Sequence, residues 1–289
     1  MSERSIGSTR SLGTGPYRLG VIGDPVAHSL SPSLHQPALD ALEIPATYER
    51  WHTTLAELPG RLQSCRSADV LGANVTVPHK VAVIDLIDDL SPAAKRAGAV
   101  NTVVNQDGML FGDNTDIAGF AAAVSGKWTR KPFNRALVLG AGGAARAVVL
   151  ALEALGVGEI VVTNRSDSRA RELAESLAPA PVSLVHPNSN EFKRKLANAD
   201  LVINSTSIGW KPNESPFELA FLELVPRDAL VVDLTYRQTD LLIAAAKQGL
   251  ETIDGLPMLV HQGAAAFALF TGRRPPLETM LAAAEDARR

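Results

Sequence analysis

Short apolar segments alternate with amphipathic, helix-forming stretches along most of the chain beyond Tyr17. This alternation is typical of parallel strands that are covered by helices on both faces of a sheet. It therefore predicts an α/β fold with helices such as Ala144–Leu155 and Ser168–Leu177. The predicted strands are Leu19–Ile22, Thr47–Trp51, Ala73–Val77, Ala136–Leu139, Ile160–Thr163, Val182–Val185, Leu201–Ser205, Leu230–Leu234 and Glu251–Ile253.

One segment departs from the alternation. Ala99–Val104 and Met109–Phe111 flank an Asp107-Gly108 step, which is typical of a β-hairpin turn. A helix is expected from about Asp116, and Pro132 precedes a new strand. We therefore expect the chain to change domain after the hairpin.

Composition narrows the class of protein. Domains usually have 100–200 residues, so a chain of 289 residues is expected to form about two. Hydrophobic residues make up 46% of the chain and charged residues 20%, which is enough apolar material for a buried core. A net charge of −3 argues against a nucleic-acid-binding protein, which needs a basic face, and no apolar run is long enough to span a bilayer. The single cysteine, Cys65, cannot form an internal disulfide, so we expect a cytoplasmic protein.

Residues 1–16 differ from the rest. They are rich in Ser, Gly, Thr and Arg and have almost no apolar residues. They lack the apolar face of a transit peptide and the apolar core of a secretory signal. We expect a disordered N-terminal arm.

A glycine-rich turn joins the strand Ala136–Leu139 to an apolar helix. Its sequence, Gly140-Ala141-Gly142-Gly143-Ala144-Ala145, matches G-x-G-x-x-G/A between a strand and a helix. Gly140 permits the tight turn, Gly142 lets the backbone approach a pyrophosphate, and Ala145 allows close packing of helix on strand. The helix N-terminus presents free N–H groups to phosphates. The turn predicts a dinucleotide site, with a βα turn that binds no ligand as the alternative.

The residues after the next strand bear on the choice of cofactor. NAD-binding folds usually place Asp or Glu there, whereas this chain has Asn164-Arg165-Ser166-Asp167-Ser168-Arg169. Arg165 and Arg169 suit a ribose 2′-phosphate, because guanidinium groups form paired, charge-assisted hydrogen bonds. Asp167 either caps the next helix or neutralises an arginine, and a solvated charge cluster stays an alternative. We predict NADP rather than NAD.

Polar residues cluster near two strand ends in the first half. Ser31-Pro32 predicts a helix start with Ser31 as N-cap, which leaves Ser29 to hold a small carboxylate. Asn74 and Thr76 share one face of a strand and Val75 and Val77 the other. Two polar residues on an inner face need partners, which a polyol substrate would supply.

A lysine and an aspartate are the candidate acid–base groups. Pro78 is expected to begin a helix with Lys80 in its first turn, where the positive helix end assists loss of a proton. Asp116 has a structural explanation, because acidic residues are favoured in the first turn of a helix. Its functional interpretation is a carboxylate that faces Lys80. A solvated surface lysine is the alternative.

Taken together, these motifs resemble the shikimate dehydrogenase family, from about Tyr17 to the C-terminus. None is decisive alone, but together and in order they are specific. They are His28–Pro32, Asn74–Lys80, Gly98–Thr102, Asn114-Thr115-Asp116, Gly140–Ala145, Asn164-Arg165, Asn204–Gly209, Asp233–Tyr236 and Gly255–Gln262. Trp210 stands where the family often has Met.

The resemblance implies an enzyme that interconverts shikimate and 3-dehydroshikimate with NADP in aromatic amino-acid biosynthesis. Lys80 and Asp116 would be the catalytic pair. The implied substrate-binding residues are Ser29, Ser31, Asn74, Thr76, Asn101, Tyr236 and Gln262. The implied cofactor-binding residues are Gly140, Ala141, Gly142, Gly143, Ala144, Asn164, Arg165, Ser166, Arg169, Leu234 and Gly255.

The resemblance also implies two α/β domains. Residues 17–117 and 255–289 would form a mixed-sheet substrate-binding domain, and residues 118–254 a doubly wound, parallel-sheet NADP-binding domain of Rossmann type. We expect no metal, since the six histidines lack ligand spacing, and a monomer or homodimer that binds neither nucleic acid nor membrane.

Two other functions remain open. The first is a quinate/shikimate dehydrogenase that uses NAD; such relatives tend to carry Thr at the position of Ser31 and an acid after the second strand. The second is an NADP-binding sensor without turnover. Retention of Lys80 and Asp116 disfavours the sensor.

Overall fold

A computed structural model describes residues 13–128 and 132–289. Residues 1–12, most of the predicted arm, lie outside this description. The strands are β1 (Tyr17–Gly23), β2 (Ala46–His52), β3 (Val70–Val75), β4 (Asp89–Leu90), β5 (Thr102–Gln106), β6 (Met109–Asp113), β7 (Arg135–Leu139), β8 (Glu159–Thr163), β9 (Val182–Leu184), β10 (Leu201–Asn204), β11 (Leu230–Asp233) and β12 (Glu251–Ile253). The α-helices are α1 (Ser31–Ala41), α2 (Leu58–Ser64), α3 (Pro92–Ala97), α4 (Asp116–Lys127), α5 (Gly143–Ala154), α6 (Asp167–Ser176), α7 (Asn190–Leu196), α8 (Asp240–Lys247), α9 (Leu256–Thr271) and α10 (Leu277–Ala287).

The chain divides into two compact units. The first contains the residues up to Gly119 together with Val260–Arg289, and the second contains Phe120–Leu259. Each unit has a six-stranded sheet. The predicted fold class, α/β with one mixed and one parallel sheet, is confirmed. The functions assigned to the two parts, and their limits at 117/118 and 254/255, stay predictions.

The first sheet has the strand order β2-β1-β3-β5-β6-β4. Strand β1 is parallel to β2 and β3, whereas β5 is antiparallel to both β3 and β6. The predicted hairpin is present: Gln106 pairs with Met109, and Asp107 and Gly108 between them have φ values of 53° and 86°. Two positive φ values in a two-residue loop match the right-handed twist of the flanking strands.

The second sheet has the order β12-β11-β10-β7-β8-β9, and every pair in it is parallel. The connections from β7 proceed toward one edge through β8 and β9, and toward the other through β10, β11 and β12. The order therefore reverses between β7 and β10. In doubly wound sheets, ligands bind outside the carboxyl ends of the strands at such a point.

Each unit has an apolar core. In the first, Gly72 lets a helix approach the sheet, since a Cβ there would lie 2.7 Å from the ring of Phe270 on α9 and would clash with the carbonyl oxygen of Val103. In the second, Phe192 and Phe217 pack with their ring centroids 5.8 Å apart beside the buried face of the sheet. These cores fix the strand ends that carry the polar residues considered below.

Three local predictions are wrong. No helix begins at Pro78, because the carbonyl oxygen of Lys80 accepts a hydrogen bond from the amide of Val100 (2.7 Å) and is unavailable to a helix. Strand β3 ends at Val75, so Val77, expected on the apolar face, is 65% exposed. Ser31 is the first residue of α1 rather than its cap, and its amide donates to the hydroxyl of Ser29 at 3.2 Å.

Candidate active site

Lys80 and Asp116 meet in the first unit. Lys80 Nζ donates to Asp116 Oδ2 at 2.5 Å, although the two residues are 36 positions apart. Their side chains are 15% and 6% exposed. Lys80 lies in the turn after β3, and Asp116 is the first residue of α4. The predicted contact is present, although a turn rather than a helix presents the lysine.

Asn101 holds the other oxygen of the same carboxylate. Its Nδ2 lies 2.8 Å from Asp116 Oδ1, 2.9 Å from Thr115 Oγ1 and 3.2 Å from Gln262 Oε1. Its Oδ1 accepts the amide of Thr115 at 2.7 Å. Both the Nδ2 and the Oδ1 atom of Asn101 are therefore hydrogen-bonded to protein groups. Through Gln262 and Asp116, this side chain links α9 to the start of α4.

A second cluster collects three of the predicted substrate-binding residues. The Ser29 hydroxyl donates to Ser31 Oγ at 3.1 Å, and the Tyr48 hydroxyl donates to Asn74 Oδ1 at 2.7 Å. Burial raises the pKa of Tyr48, which a hydrogen bond with Ser31 partly opposes. Arg50 Nη2 donates to the carbonyl oxygen of Ser29 at 2.8 Å and so fixes the loop before α1.

The two clusters form one network. Asn74 Nδ2 donates to Thr102 Oγ1 at 3.3 Å, and Thr102 Oγ1 donates to Asn101 Oδ1 at 3.0 Å. Thr76 follows β3. Its methyl group packs against Gly23, where the Cβ of any other residue would clash with it. In the part of the chain that the structure describes, the Thr76 hydroxyl has no hydrogen-bond partner.

The glycine-rich turn follows β7 in the second unit. Gly140 has a φ of 116°, in the region that favours glycine, and a Cβ there would lie 2.8 Å from Ser205 Oγ. Gly142 is the N-cap of α5, and among the described residues nothing lies within 4 Å of where its Cβ would be. Ala145 is fully buried against the sheet. The turn thus leaves open space in front of the first amides of α5, which lack partners within the helix.

The segment after β8 presents two cations. Ser166, not Asp167, caps α6, because its hydroxyl accepts the amide of Arg169. Arg165 and Arg169 are exposed, and neither has a carboxylate partner among residues 13–128 and 132–289. Asn164 Nδ2 donates to the carbonyl oxygen of Ser166 at 3.0 Å and shapes this loop. Asp167 therefore does not neutralise either arginine.

Leu234 and Gly255 lie against each other beyond the carboxyl end of β11. A Cβ at position 255 would overlap the carbonyl oxygen of Leu234, so only glycine fits this approach. Tyr236, two residues after Leu234, packs edge-on against Trp210 with ring centroids 4.9 Å apart. These contacts belong to the second unit.

The described residues contain no group of three or more His, Cys, Asp and Glu side chains that could hold a metal ion. No helix in the described ranges is long and apolar enough to cross a membrane.

Three family models cover most of this architecture. The shikimate dehydrogenase substrate binding domain matches residues 21–103, the shikimate / quinate 5-dehydrogenase model residues 126–211, and the shikimate 5′-dehydrogenase C-terminal domain residues 255–285. Shikimate dehydrogenase (NADP(+)) of Symbiobacterium thermophilum is 43% identical over 282 residues, which are 95% of this chain and 96% of that protein. The chain belongs to the shikimate dehydrogenase family.

Solved structures of this family agree with the assignment, and the resemblance seen in the sequence is confirmed. Shikimate 5-dehydrogenase from Thermus thermophilus, in complex with NADP(H) and shikimate, is 44% identical with a TM-score of 0.84 and covers 94% of this chain and 99% of its own. Quinate dehydrogenase from Corynebacterium glutamicum, in complex with NAD, is 32% identical with a TM-score of 0.84 and covers 92% and 98%.

Sequence reasoning missed two features of this family member. Tyr48 lies in a strand whose alternation predicts only a core residue, and its partner Asn74 is 26 positions away. Asp233, inside one of the family motifs, is fully buried and accepts hydrogen bonds from Asn204 Nδ2 (3.1 Å) and Thr239 Oγ1 (2.9 Å). A buried carboxylate with several donors stabilises the loops at the carboxyl ends of β10 and β11.

Proposed function

We propose that this chain is an NADP-dependent shikimate dehydrogenase that interconverts shikimate and 3-dehydroshikimate. The observation that carries the proposal is the contact between Lys80 Nζ and Asp116 Oδ2 at 2.5 Å, in a chain of this family. Oxidation of an alcohol removes a hydride from carbon and a proton from oxygen. Bound NADP supplies the hydride acceptor. The protein must therefore supply a proton acceptor at the hydroxyl.

Lys80 and Asp116 are the catalytic pair in this proposal. In the oxidative direction the substrate O–H bond breaks as its proton moves to the neutral Lys80 amine, and in reduction the ammonium returns it. Asp116 holds Nζ in place and stabilises the ammonium form by its charge. Asn101 keeps the Asp116 carboxylate from turning away, because it donates to Oδ1 while Oδ2 faces the lysine.

The binding roles follow the chemistry of each group. Ser29 and Ser31 offer two neighbouring hydroxyls to the substrate carboxylate, and Thr76 offers a hydroxyl without a partner among the described residues. Asn74, Asn101 and Gln262 would contact the ring hydroxyls from the network around Asp116, and Tyr236 is a further proposed substrate-binding residue. These roles are proposals for each residue.

The second unit fits a dinucleotide phosphate. Gly140, Ala141, Gly142, Gly143 and Ala144 would hold the pyrophosphate, since the backbone is open in front of Gly142. The exposed guanidinium groups of Arg165 and Arg169 would bind the 2′-phosphate, with Asn164 and Ser166 shaping the loop. Leu234 and Gly255 would approach the nicotinamide.

The alternatives fit the chain less well. The Corynebacterium quinate dehydrogenase is a structural neighbour in complex with NAD, but this chain has Ser31 and places Asn164 and Arg165, rather than an acid, directly after β8. A sensor without turnover would need no acid–base pair, whereas Lys80 and Asp116 are both present and in contact.

The deciding experiment follows absorbance of the reduced nicotinamide while shikimate and quinate are each combined with NADP and NAD. We expect the highest kcat/KM for shikimate with NADP. Turnover of quinate with NAD alone would overturn the proposal, and binding of NADP without turnover of either acid would favour the sensor.

Cytoplasmic location and a monomeric or homodimeric state are also proposals. The buried Cys65, whose pKa burial raises to about 11, suits a thiol that stays reduced. Light scattering after size-exclusion chromatography would measure the oligomeric state.

A further inference from the structure

An aromatic stack in the first unit supports the phenol of Tyr48. The Tyr48 ring on β2 is 5% exposed and stacks on His35 of α1, with centroids 4.3 Å apart and planes 3° from parallel. Phe267 of α9 lies on His35 as well, at 6.3 Å. Neither ring nitrogen of His35 has a hydrogen-bond partner in the described residues. His35 therefore acts as an apolar plane that fixes the orientation of the tyrosine ring.

The phenol hydroxyl holds one group of the site. It donates to Asn74 Oδ1 at 2.7 Å. A phenylalanine would stack on His35 equally well. The hydroxyl is therefore explained by its contact with Asn74 rather than by packing.

The contact also determines what Asn74 can offer to a ligand. Its two amide hydrogens point to the carbonyl oxygen of Asn101 and to Thr102 Oγ1, both at 3.3 Å. Its Oδ1 accepts from Tyr48 and keeps one further lone pair. With the amide fixed in this sense, Asn74 can only accept from a ligand, so a ligand hydroxyl beside it must donate.

We propose that Tyr48 is a positioning residue for substrate binding, which sets the side chain of Asn74 through its hydroxyl. The inference rests on the proposed function of this site. Tyr48 has no contact with Lys80 or Asp116 among its hydrogen bonds. It therefore acts on substrate affinity and not on the proton-transfer step.

The test is Tyr48→Phe in the full-length protein, with Tyr17→Phe as a matched control. The Tyr17 hydroxyl also makes a hydrogen bond in this unit, from the amide of Gly13 at 2.8 Å, but it lies outside the network of the site. Loss of one buried hydrogen bond predicts a KM for shikimate raised roughly tenfold in Tyr48→Phe. Its kcat and its KM for NADP should stay within about twofold, and Tyr17→Phe should change none of the three.

Different measurements test the proposed function and the role of Tyr48, so failure of one can be told from failure of the other. Wild-type turnover of shikimate with NADP tests the function, and calorimetric titration of wild type and Tyr48→Phe with shikimate tests positioning without turnover. An unchanged KM, with or without a lower unfolding midpoint, would make Tyr48 a structural residue and overturn the inference. A fall in kcat at constant KM would overturn it as well, because it would place Tyr48 in the chemical step.

Discussion

Asn101 and Lys80 bind opposite oxygens of one carboxylate: Asn101 Nδ2 lies 2.8 Å from Asp116 Oδ1, and Lys80 Nζ lies 2.5 Å from Oδ2. Asn101 is 2% exposed and lies at the start of the hairpin, whereas Asp116 begins the helix that follows it. A buried carboxylate with both oxygens occupied has one orientation. The lysine therefore meets a partner whose position is fixed before substrate arrives.

Asn101→Ala tests this relationship. Without the amide, Oδ1 of Asp116 loses its donor and the carboxylate is free to turn, so kcat/KM for shikimate should fall roughly 10- to 100-fold. Steady-state kinetics measures the fall, and a thermal unfolding midpoint recorded alongside accounts for lost stability. Asn198→Ala, at an exposed position, is the control. A kcat/KM within twofold of wild type would show that Asp116 needs no second donor.

Lys80→Ala should reduce rate far more than affinity. Removal of the amine deletes the proton acceptor, so we expect kcat to fall about 10²- to 10⁴-fold while KM for shikimate changes by less than about threefold. The same absorbance assay provides both constants. Lys95→Ala removes an exposed lysine of the same unit and should leave both unchanged. Near-normal kcat in Lys80→Ala would remove the lysine from the mechanism.

The charges after β8 should decide between cofactors. In Arg165→Ala/Arg169→Ala the 2′-phosphate loses two cationic donors, and KM for NADP should rise roughly 10- to 100-fold while KM for NAD stays constant. Arg171→Ala, also exposed on α6, is the matched control. An equal rise for both cofactors would mean that these arginines support the loop and do not recognise the phosphate.

Gly142→Ala should weaken NADP binding much more than it lowers the free energy of unfolding. Nothing in the described residues lies within 4 Å of the added Cβ, and the φ of −91° suits alanine, so only the poorer N-cap should lower the free energy of unfolding, by about 1 kcal/mol at most. The methyl group would occupy the space in front of α5, and KM for NADP should rise at least about tenfold. Urea unfolding and kinetics check the two parts. Gly60→Ala, at an open glycine inside α2, should leave NADP kinetics unchanged and raise the free energy of unfolding by about 0.5–1 kcal/mol, and unaltered NADP kinetics in Gly142→Ala would place the phosphates elsewhere.

The sequence predicted best those features that depend on a short local motif. The glycine-rich turn and the hairpin need particular backbone angles, and Gly140, Asp107 and Gly108 have them. The Lys80–Asp116 contact was expected from the residue types at two strand ends 36 residues apart, and the family resemblance implied the same pair.

The features that the sequence did not predict depend on contacts between residues far apart in the chain or on elements too short to leave a pattern. Pro78 favours a helix start, but the pairing of the Lys80 carbonyl with the amide of Val100 overrides that propensity. Strand β4 has two residues, too few for any alternation to be visible. The role of Tyr48 depends on a stack with His35 and a hydrogen bond to Asn74, and no local signal in β2 distinguishes it from a core aromatic residue.

His35 should make stability depend on pH. Its ring is fully buried among aromatic neighbours, and burial lowers its pKa from 6.5 to about 3. The unfolded chain binds this proton near pH 6.5, whereas the folded chain does so only near pH 3. The free energy of unfolding should therefore be unaffected above about pH 6.5 and fall by roughly 1.4 kcal/mol per pH unit toward pH 3 through this residue.

Urea unfolding between pH 7.5 and 4.5 measures this dependence in wild type and in His35→Phe, which keeps a stacked ring without the proton site. The gap between wild type and variant should shift in favour of the variant as pH falls. Parallel curves for wild type and His35→Phe would mean that the buried imidazole does not resist protonation.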